Sequence, residues 1–252
     1  MPEHFETVLR KELADLLSGP HPAELIYAES CGSTNDLVLE KTREPDAPPI
    51  IIAFCNHQKR GRGRIDHHWV NVPGNDIALS LAFRSSYFRF RATTRYPLAS
   101  SVIVARAIDE VCGVPTELKW PNDIMFNGKK LAGILILNFR QYLTTGIGVN
   151  VNSRIDDFPD ELKRTVTTLR EIVGSEIPRE KLIRELVKSF LEFFLRSGED
   201  EPELIEEWVR RSKYIGKTVK VKFGDTVRNL VVKDVDRGTG ELICEDDGSV
   251  IR

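Results

Sequence analysis

Residues 119–133 read Lys119-Trp120-Pro121-Asn122-Asp123-Ile124-Met125-Phe126-Asn127-Gly128-Lys129-Lys130-Leu131-Ala132-Gly133. Asn127-Gly128 is the pair that a two-residue type I′ turn demands, because both central residues of that turn take positive φ. Extended segments are therefore expected at Glu117 to Trp120 and Asp123 to Phe126, separated by Pro121, with a returning strand from Lys130 to Leu137. The hairpin sets Asp123 and Lys130 on neighbouring strands.

Outward from the hairpin, Thr144 to Val151 predicts a further strand with Gly146 and Gly148 inside it, where glycine marks close approach of the backbone to a ligand. Ile77, Leu79, Leu81 and Phe83 alternate with small or polar residues and predict a strand with one buried face. Pro49 to Phe54 is a continuous apolar run typical of a buried strand, and Leu25 to Glu29 reads as a shorter one. Helices are expected at the N-terminus, where Phe5, Leu9, Leu13 and Leu16 share a face, and from Ser33-Thr34-Asn35-Asp36, whose side chains suit a helix start. Leu98 to Cys112 has helical periodicity and stops at Gly113. Pro178 fits a first turn before the stripe Ile183, Leu186, Val187, Phe190 and Phe194, and a last helix runs from about Glu203 to Lys213. From Tyr214, alternating Val219, Val221 and Phe223 and the turns at Gly224, Gly238-Thr239-Gly240 and Asp247-Gly248 predict a small β-barrel-like module. The expected architecture is α+β: a mixed, mainly antiparallel sheet with flanking helices over residues 1–213, the first 22 a helical extension, and a small all-β module over 214–252.

The bulk properties narrow the function. A net charge of -2 over 252 residues argues against wholesale nucleic-acid binding. About two dozen residues precede the first expected strand, too few for a helix-turn-helix, so DNA binding is not expected. The charged N-terminus is neither a secretory signal nor a membrane span, and no apolar run is long enough to cross a bilayer. Cys31, Cys55, Cys112 and Cys244 form no CxxC pair and suit reduced thiols in a cytoplasmic setting.

Against that ordinary background, Gln58-Lys59-Arg60-Gly61-Arg62-Gly63-Arg64 stands out, with Trp69 close behind. Gly61 and Gly63 permit positive φ and let main-chain N–H groups approach a ligand, while the arginines supply forked, permanently charged donors suited to phosphate. Trp69 supplies an aromatic face for a base. By itself the run equally suits an RNA-contacting strip or a solvated loop. Adjacent His67 and His68 diverge in an extended loop, and no metal site is expected.

Four segments in one order resemble the biotin protein ligases: Ser33-Thr34-Asn35; Gln58-x-x-Gly61-Arg62-Gly63-Arg64 with Trp69; Lys119 to Asp123 followed by Lys130-Leu131-Ala132-Gly133; and Gly146-Ile147-Gly148-Val149-Asn150. The resemblance covers about residues 25 to 155, and the small module extends it to the end. It implies a catalytic domain like the class II synthetases, here without an N-terminal DNA-binding domain, and a C-terminal SH3-like barrel. It implies two-step chemistry: biotin attacks the α-phosphate of ATP, supplied as its magnesium complex, and a lysine of a biotin carboxyl carrier protein or domain then takes the biotinyl group. A homodimer is compatible with the family, and no permanently bound cofactor is implied.

By the same resemblance, Ser33, Thr34, Asn35 and Gln58 bind the ureido end of biotin. Gly61, Arg62, Gly63 and Arg64 close over it, and Gly133 and Gly148 let sheet backbone pack against its chain or ring. Arg62, Arg64, Trp69, Lys119, Asn122, Lys130 and Asn150 serve ATP or the adenylate, with Trp69 stacked on adenine. Lys130, Arg64 and Asp123 are the implied catalytic residues: the cations neutralise developing negative charge, and Asp123 accepts the proton of the incoming amine. The chain departs from the family after Arg64, where Ile65-Asp66-His67-His68 makes the loop less basic and Asp66 adds a negative charge. The C-terminal module is also short. Lipoate or octanoate ligases and transferases belong to the same superfamily, and a non-catalytic biotin or adenylate binder is a rival of another class.

Overall fold

The computed structural model describes residues 4–63, 68–88, 94–197, 199, 201–223, 226–246 and 248–251. Helices α1 (Phe5–Glu12) and α2 (Ala14–Leu17) precede β1 (Ala23–Cys31), α3 (Thr34–Lys41) and β2 (Ile50–Gln58). Two dipeptide strands, β3 (Gly61–Arg62) and β4 (His68–Trp69), pair with each other before β5 (Ile77–Arg84), α4 (Ser85–Phe88) and the long α5 (Tyr96–Cys112). The hairpin region supplies β6 (Glu117–Lys119), β7 (Asp123–Phe126), β8 (Lys129–Phe139) and β9 (Tyr142–Val149). Then follow α6 (Leu169–Val173), α7 (Arg179–Leu195), α8 (Glu201–Arg211) and strands β10 (Thr218–Phe223), β11 (Thr226–Val235), β12 (Leu242–Asp246) and β13 (Ser249–Ile251).

The main sheet has the order β1-β2-β5-β9-β8-β7-β6. Only β1 and β2 run parallel, and α3 is the crossover that such a pair requires. The remaining pairs are antiparallel, and for β7 and β8 the Asn127-Gly128 turn dictates it: Asn127 sits at φ 48° and Gly128 at φ 76°. The α+β reading therefore holds, with a large mixed sheet and flanking helices.

The two faces of the sheet are packed unequally. On one, Ile50, Ile52, Phe54, Leu79, Leu81 and Phe83 meet α5 and α7 in the principal core. Phe194 lies at the centre of this layer, fully buried and stacked on Phe83 at 3.9 Å between ring centroids. On the other face a smaller cluster joins Val38 of α3 to Ile51, Ala53, Ala82 and Tyr142. The sequence predicted one buried face for β5, but seven of its eight residues are buried because α3 covers the second face as well. Elsewhere the differences are at element ends. Helix α5 begins at Tyr96, with Pro97 in its first turn; α8 begins at Glu201 and ends at Arg211; and Pro178 occupies the position before α7.

Residues from Thr218 onward form a four-stranded antiparallel sheet, β10-β11-β12-β13, around Leu230, Val232 and Cys244. It is tied to the main body where the Trp120 indole N–H donates to the Gly240 carbonyl at 3.0 Å and Arg95 donates to the Arg237 carbonyl at 3.1 Å. Val235 of this sheet is part of the principal core.

Phe194→Ala is expected to lower stability by about 3–5 kcal/mol, since it removes a ring packed on all sides. Val250, 68% exposed on β13, is the control: its change to Ala is expected to stay within about 0.5 kcal/mol. Urea unfolding monitored by circular dichroism checks both.

Candidate active site

The face of the sheet beneath α3 carries a cavity of about 210 Å³. Its floor exists because β8 and β9 place small side chains there. Gly133 stands opposite Gly148, and Leu135 opposite Gly146. A Cβ at Gly146 would lie 2.8 Å from the Asn35 carboxamide, and one at Gly148 would lie 2.3 Å from the Trp69 ring. Both contacts are shorter than real Cβ atoms make, so these positions require glycine by close approach.

One wall is polar and already organised. The Gln58 side-chain carbonyl accepts from the Thr34 backbone N–H at 2.9 Å and from its hydroxyl at 3.2 Å. The Ser80 hydroxyl lies 2.8 Å from Thr34 Oγ1 and 3.0 Å from Asn35 Oδ1. Behind them, the Gln58 backbone N–H donates to Asn71 Oδ1 at 2.7 Å. Thr34, Asn35, Gln58, Asn71 and Ser80 are all buried. Such a network rigidifies a wall and leaves few donors and acceptors pointing inward. Ser33 occupies the helix-start position expected for it, but its hydroxyl makes no capping bond; it is buried and without a partner.

The charged groups lie around the opening. Lys130 Nζ is 2.6 Å from Asp123 Oδ1, joining the two strands of the hairpin, and is 5.8 Å from the centre of the Trp69 ring. Arg62 pairs with Asp36 in the first turn of α3 at 2.5 Å. Asn122 is fixed by donating its amide to the Ile134 carbonyl, while the Ile134 N–H donates to the Asn122 carbonyl at 3.1 Å. Farther back, buried Asp76 accepts from Ser153 at 2.7 Å and from the N–H groups of Val151 at 2.9 Å and Val72 at 3.2 Å. It thereby ties the segment after Trp69 to the end of β9. Burial pushes its carboxyl up, and these hydrogen bonds oppose the shift.

Of the residues singled out in the sequence, Thr34, Asn35, Gln58, Arg62, Gly63, Trp69, Asn122, Asp123, Lys130, Gly133 and Gly148 line this one cavity. Arg64, with Ile65, Asp66 and His67, lies outside the described residues. Lys119 is elsewhere, its ammonium 5.6 Å from the centre of the Tyr214 ring. Asn150 is buried, and its amide donates to the Thr167 carbonyl at 3.0 Å.

Three local readings need correction. The Gln58 to Arg64 stretch is not wholly a loop: β2 continues to Gln58, and Gly61-Arg62 pair with His68-Trp69. Gly61 is in extended backbone without positive φ. Glycine is required because a Cβ would lie 2.3 Å from the Trp69 carbonyl and 2.6 Å from Gln58 Nε2. Trp69 is not an open platform, since its ring lies on Gly148 and reaches Gly133.

Ser80, Asn71 and Asp36 carry roles that sequence reasoning did not assign. Ser80 was visible only as a small polar residue in an alternating strand. Asp36 was visible only as part of a helix start.

The arrangement brings together a polar pocket for a neutral ligand head, cations able to meet phosphate, and a carboxylate beside one of them. Residues 27–153 match the Biotin/lipoate A/B protein ligase family. The chain is 35% identical over 190 residues to the bifunctional ligase/repressor BirA of Bacillus spizizenii, covering 73% of this chain and 57% of that protein. It is 28% identical over 252 residues to the biotin--[acetyl-CoA-carboxylase] ligase of Mycobacterium tuberculosis, covering 98% of this chain and 91% of that one. The structure is similar to that of a biotin protein ligase from Aquifex aeolicus in complex with biotin and ATP, with a TM-score of 0.78 and 25% identity, over 90% of this chain and 94% of that one. The chain thus spans little more than half the length of its Bacillus relative, and the family match takes in α3, the arginine-glycine stretch, the hairpin and the glycine floor. With that match over half its residues, the chain belongs to the biotin/lipoate A/B protein ligase family.

Proposed function

We propose that this chain is an ATP-dependent biotin ligase, which activates biotin as biotinyl-5'-AMP and transfers it to a lysine of a biotin carboxyl carrier domain. The observation that carries the reading is the convergence, around one glycine-floored cavity, of the Thr34, Asn35 and Gln58 network with Lys130, Asp123 and Arg62. The named biotin ligases among its relatives support the choice of biotin.

In the first step a carboxylate oxygen of biotin bonds to the α-phosphorus of ATP, and pyrophosphate leaves. Both reacting groups are anionic, so the step needs fixed positive charge in a site that excludes water. Lys130 and Arg62 supply it, with Arg64 as a third cation. Thr34, Asn35 and Gln58, with Ser33, hold the ureido ring, whose polar atoms need partners once buried. Ser33, with its buried and unpaired hydroxyl, is suited to accept such a ligand contact. Magnesium enters with the nucleotide, and Asn122 stands at the phosphate end.

In the second step the acceptor amine bonds to the biotinyl carbonyl carbon, and AMP leaves with the anhydride oxygen. An amine attacks only when neutral, so a base must take its proton. Asp123 is that base. Its pairing with Lys130 links the steps: when the ammonium turns to phosphate, a carboxylate oxygen is released toward the acceptor.

The finer architecture belongs to the same proposal. Residues 1–213 form a class II synthetase-like catalytic domain, residues 214–252 an SH3-like module, and the acceptor domain is the macromolecular partner. A homodimer and a cytoplasmic location are the expected setting.

Incubation with biotin, magnesium, ATP and a biotin-carrier domain is expected to yield pyrophosphate and a biotinylated carrier; release with lipoate in place of biotin would overturn the substrate assignment. Lys130→Ala is expected to slow pyrophosphate release about 100-fold or more. Asp123→Asn is expected to slow transfer from preformed biotinyl-5'-AMP by about 100-fold while leaving adenylate formation within about tenfold of the wild type. Undiminished transfer would remove Asp123 from the role of base. Arg64→Gly is expected to release adenylate and label bystander lysines, which a leakage assay reads directly.

A further inference from the structure

The cavity is partly filled by the protein's own Trp69. The indole of Trp69 lies across the two register-paired glycines of the floor: a Cβ at Gly148 would be 2.3 Å from Cε2, and one at Gly133 would be 3.3 Å from Cζ3. Lys130 lies beside it, its ammonium 5.8 Å from the ring centre and close to Gly133. The remaining cavity of about 210 Å³ is smaller than the roughly 300 Å³ at which small-molecule sites usually begin. Among the described residues, the buried indole N–H has no acceptor. A ligand ring packed on the same glycines would overlap the indole, so the two exclude each other there.

The seat is held from outside. Trp69 is paired in β4 to Gly61 of β3, and the next residue of β3, Arg62, is bound to Asp36 at 2.5 Å. Asp36 belongs to α3, which is packed on the sheet, so this ion pair fastens the short β3–β4 pair to the rigid part of the site. About half of each side chain is exposed, 50% for Arg62 and 46% for Asp36, so the pair is open to screening by salt.

We infer that the Trp69 indole and biotin compete for the glycine floor, that biotin enters by exchange with the indole, and that Asp36 is a positioning residue that holds the indole in through Arg62. This rests on reading the cavity as the biotin site. The apparent affinity for biotin is then reduced by the fraction of molecules in which the indole is seated. Once displaced, the same indole is free to meet the adenine, which reconciles its seat here with the stacking role implied by its place in the sequence.

Biotin binding without nucleotide, measured by calorimetry on the full chain, tests the exchange. Trp69→Ala is expected to bind biotin about tenfold more tightly, because no resident ring has to be displaced. Asp36→Asn is expected to tighten binding about two- to fivefold, and Asp36→Glu to return it to the wild-type value. Raising salt to about 0.5 M is expected to move the wild type toward Asp36→Asn and to leave that variant unchanged. A purely structural role for Asp36 would not produce this salt signature. Wild-type binding with unchanged or weaker affinity in a folded Trp69→Ala would overturn this inference alone, and failure of every form to bind biotin would overturn the ligand assignment as well. If Trp69→Ala does not fold, the Asp36 variants and the salt series decide, and an unmoved affinity in both overturns the inference.

Discussion

The absence of side chains at three places on two adjacent strands is the constraint on which the site depends. Gly133, Gly146 and Gly148 leave one face of β8 and β9 bare beneath α3, while the residues between them, such as Ile134 and Ile147, point to the other face and into the principal core. A strand period of two residues makes this division possible. The same two strands can be firmly anchored on one side and receive foreign atoms on the other. Asn35 and Trp69 come so close to the floor that even a methyl group at Gly146 or Gly148 would collide with them.

The electrostatic design follows a similar economy. A site that attracts phosphates needs positive charge, yet cations crowded together without ligand repel one another. Here each of two cations has a carboxylate of its own, Lys130 with Asp123 and Arg62 with Asp36, at distances of 2.6 and 2.5 Å. The folded protein therefore carries no uncompensated cluster at these positions. Under the proposed function an incoming phosphate would compete with these carboxylates for its donors, which would lower affinity and make capture reversible. The polar wall is arranged differently: Thr34, Gln58, Asn71 and Ser80 bind mostly one another, so its shape is set before any ligand arrives.

What could be read in the sequence is what is encoded over short distances. Asn127-Gly128 fixed the hairpin because its turn admits few other residues, and it set Asp123 and Lys130 on neighbouring strands; the register puts Asp123 opposite Gly133 and Lys130 opposite Met125, and their ion pair reaches diagonally between them. Alternation placed β5, and glycines within a strand pattern marked the floor. The contacts between distant segments were not legible. Asp36 and Arg62 are 26 residues apart, and Ser80 and Asn35 are 45 apart; no local pattern links them. Nor could the sequence say why Gly61 is glycine. Its composition suggested backbone freedom, whereas the reason is the Trp69 carbonyl across the β3–β4 pair and the Gln58 carboxamide three residues back, both folded against it. Burial of both faces of β5 was hidden because small polar residues such as Ser80 read as solvent-facing until α3 is seen to cover them.

The bond from the Trp120 indole to the Gly240 carbonyl spans 120 residues and joins the C-terminal sheet to the segment that carries Asn122 and Asp123. Those two side chains are thus aligned in part by a region that touches none of the reactants. Under the proposed function, damage to the last forty or so residues would surface first as faulty alignment at Asp123, in molecules that remain folded. Inheritance of function along this chain is accordingly less local than its cluster of motifs suggests, and a peptide cut off before β11 would keep every motif while losing the strut behind one of them.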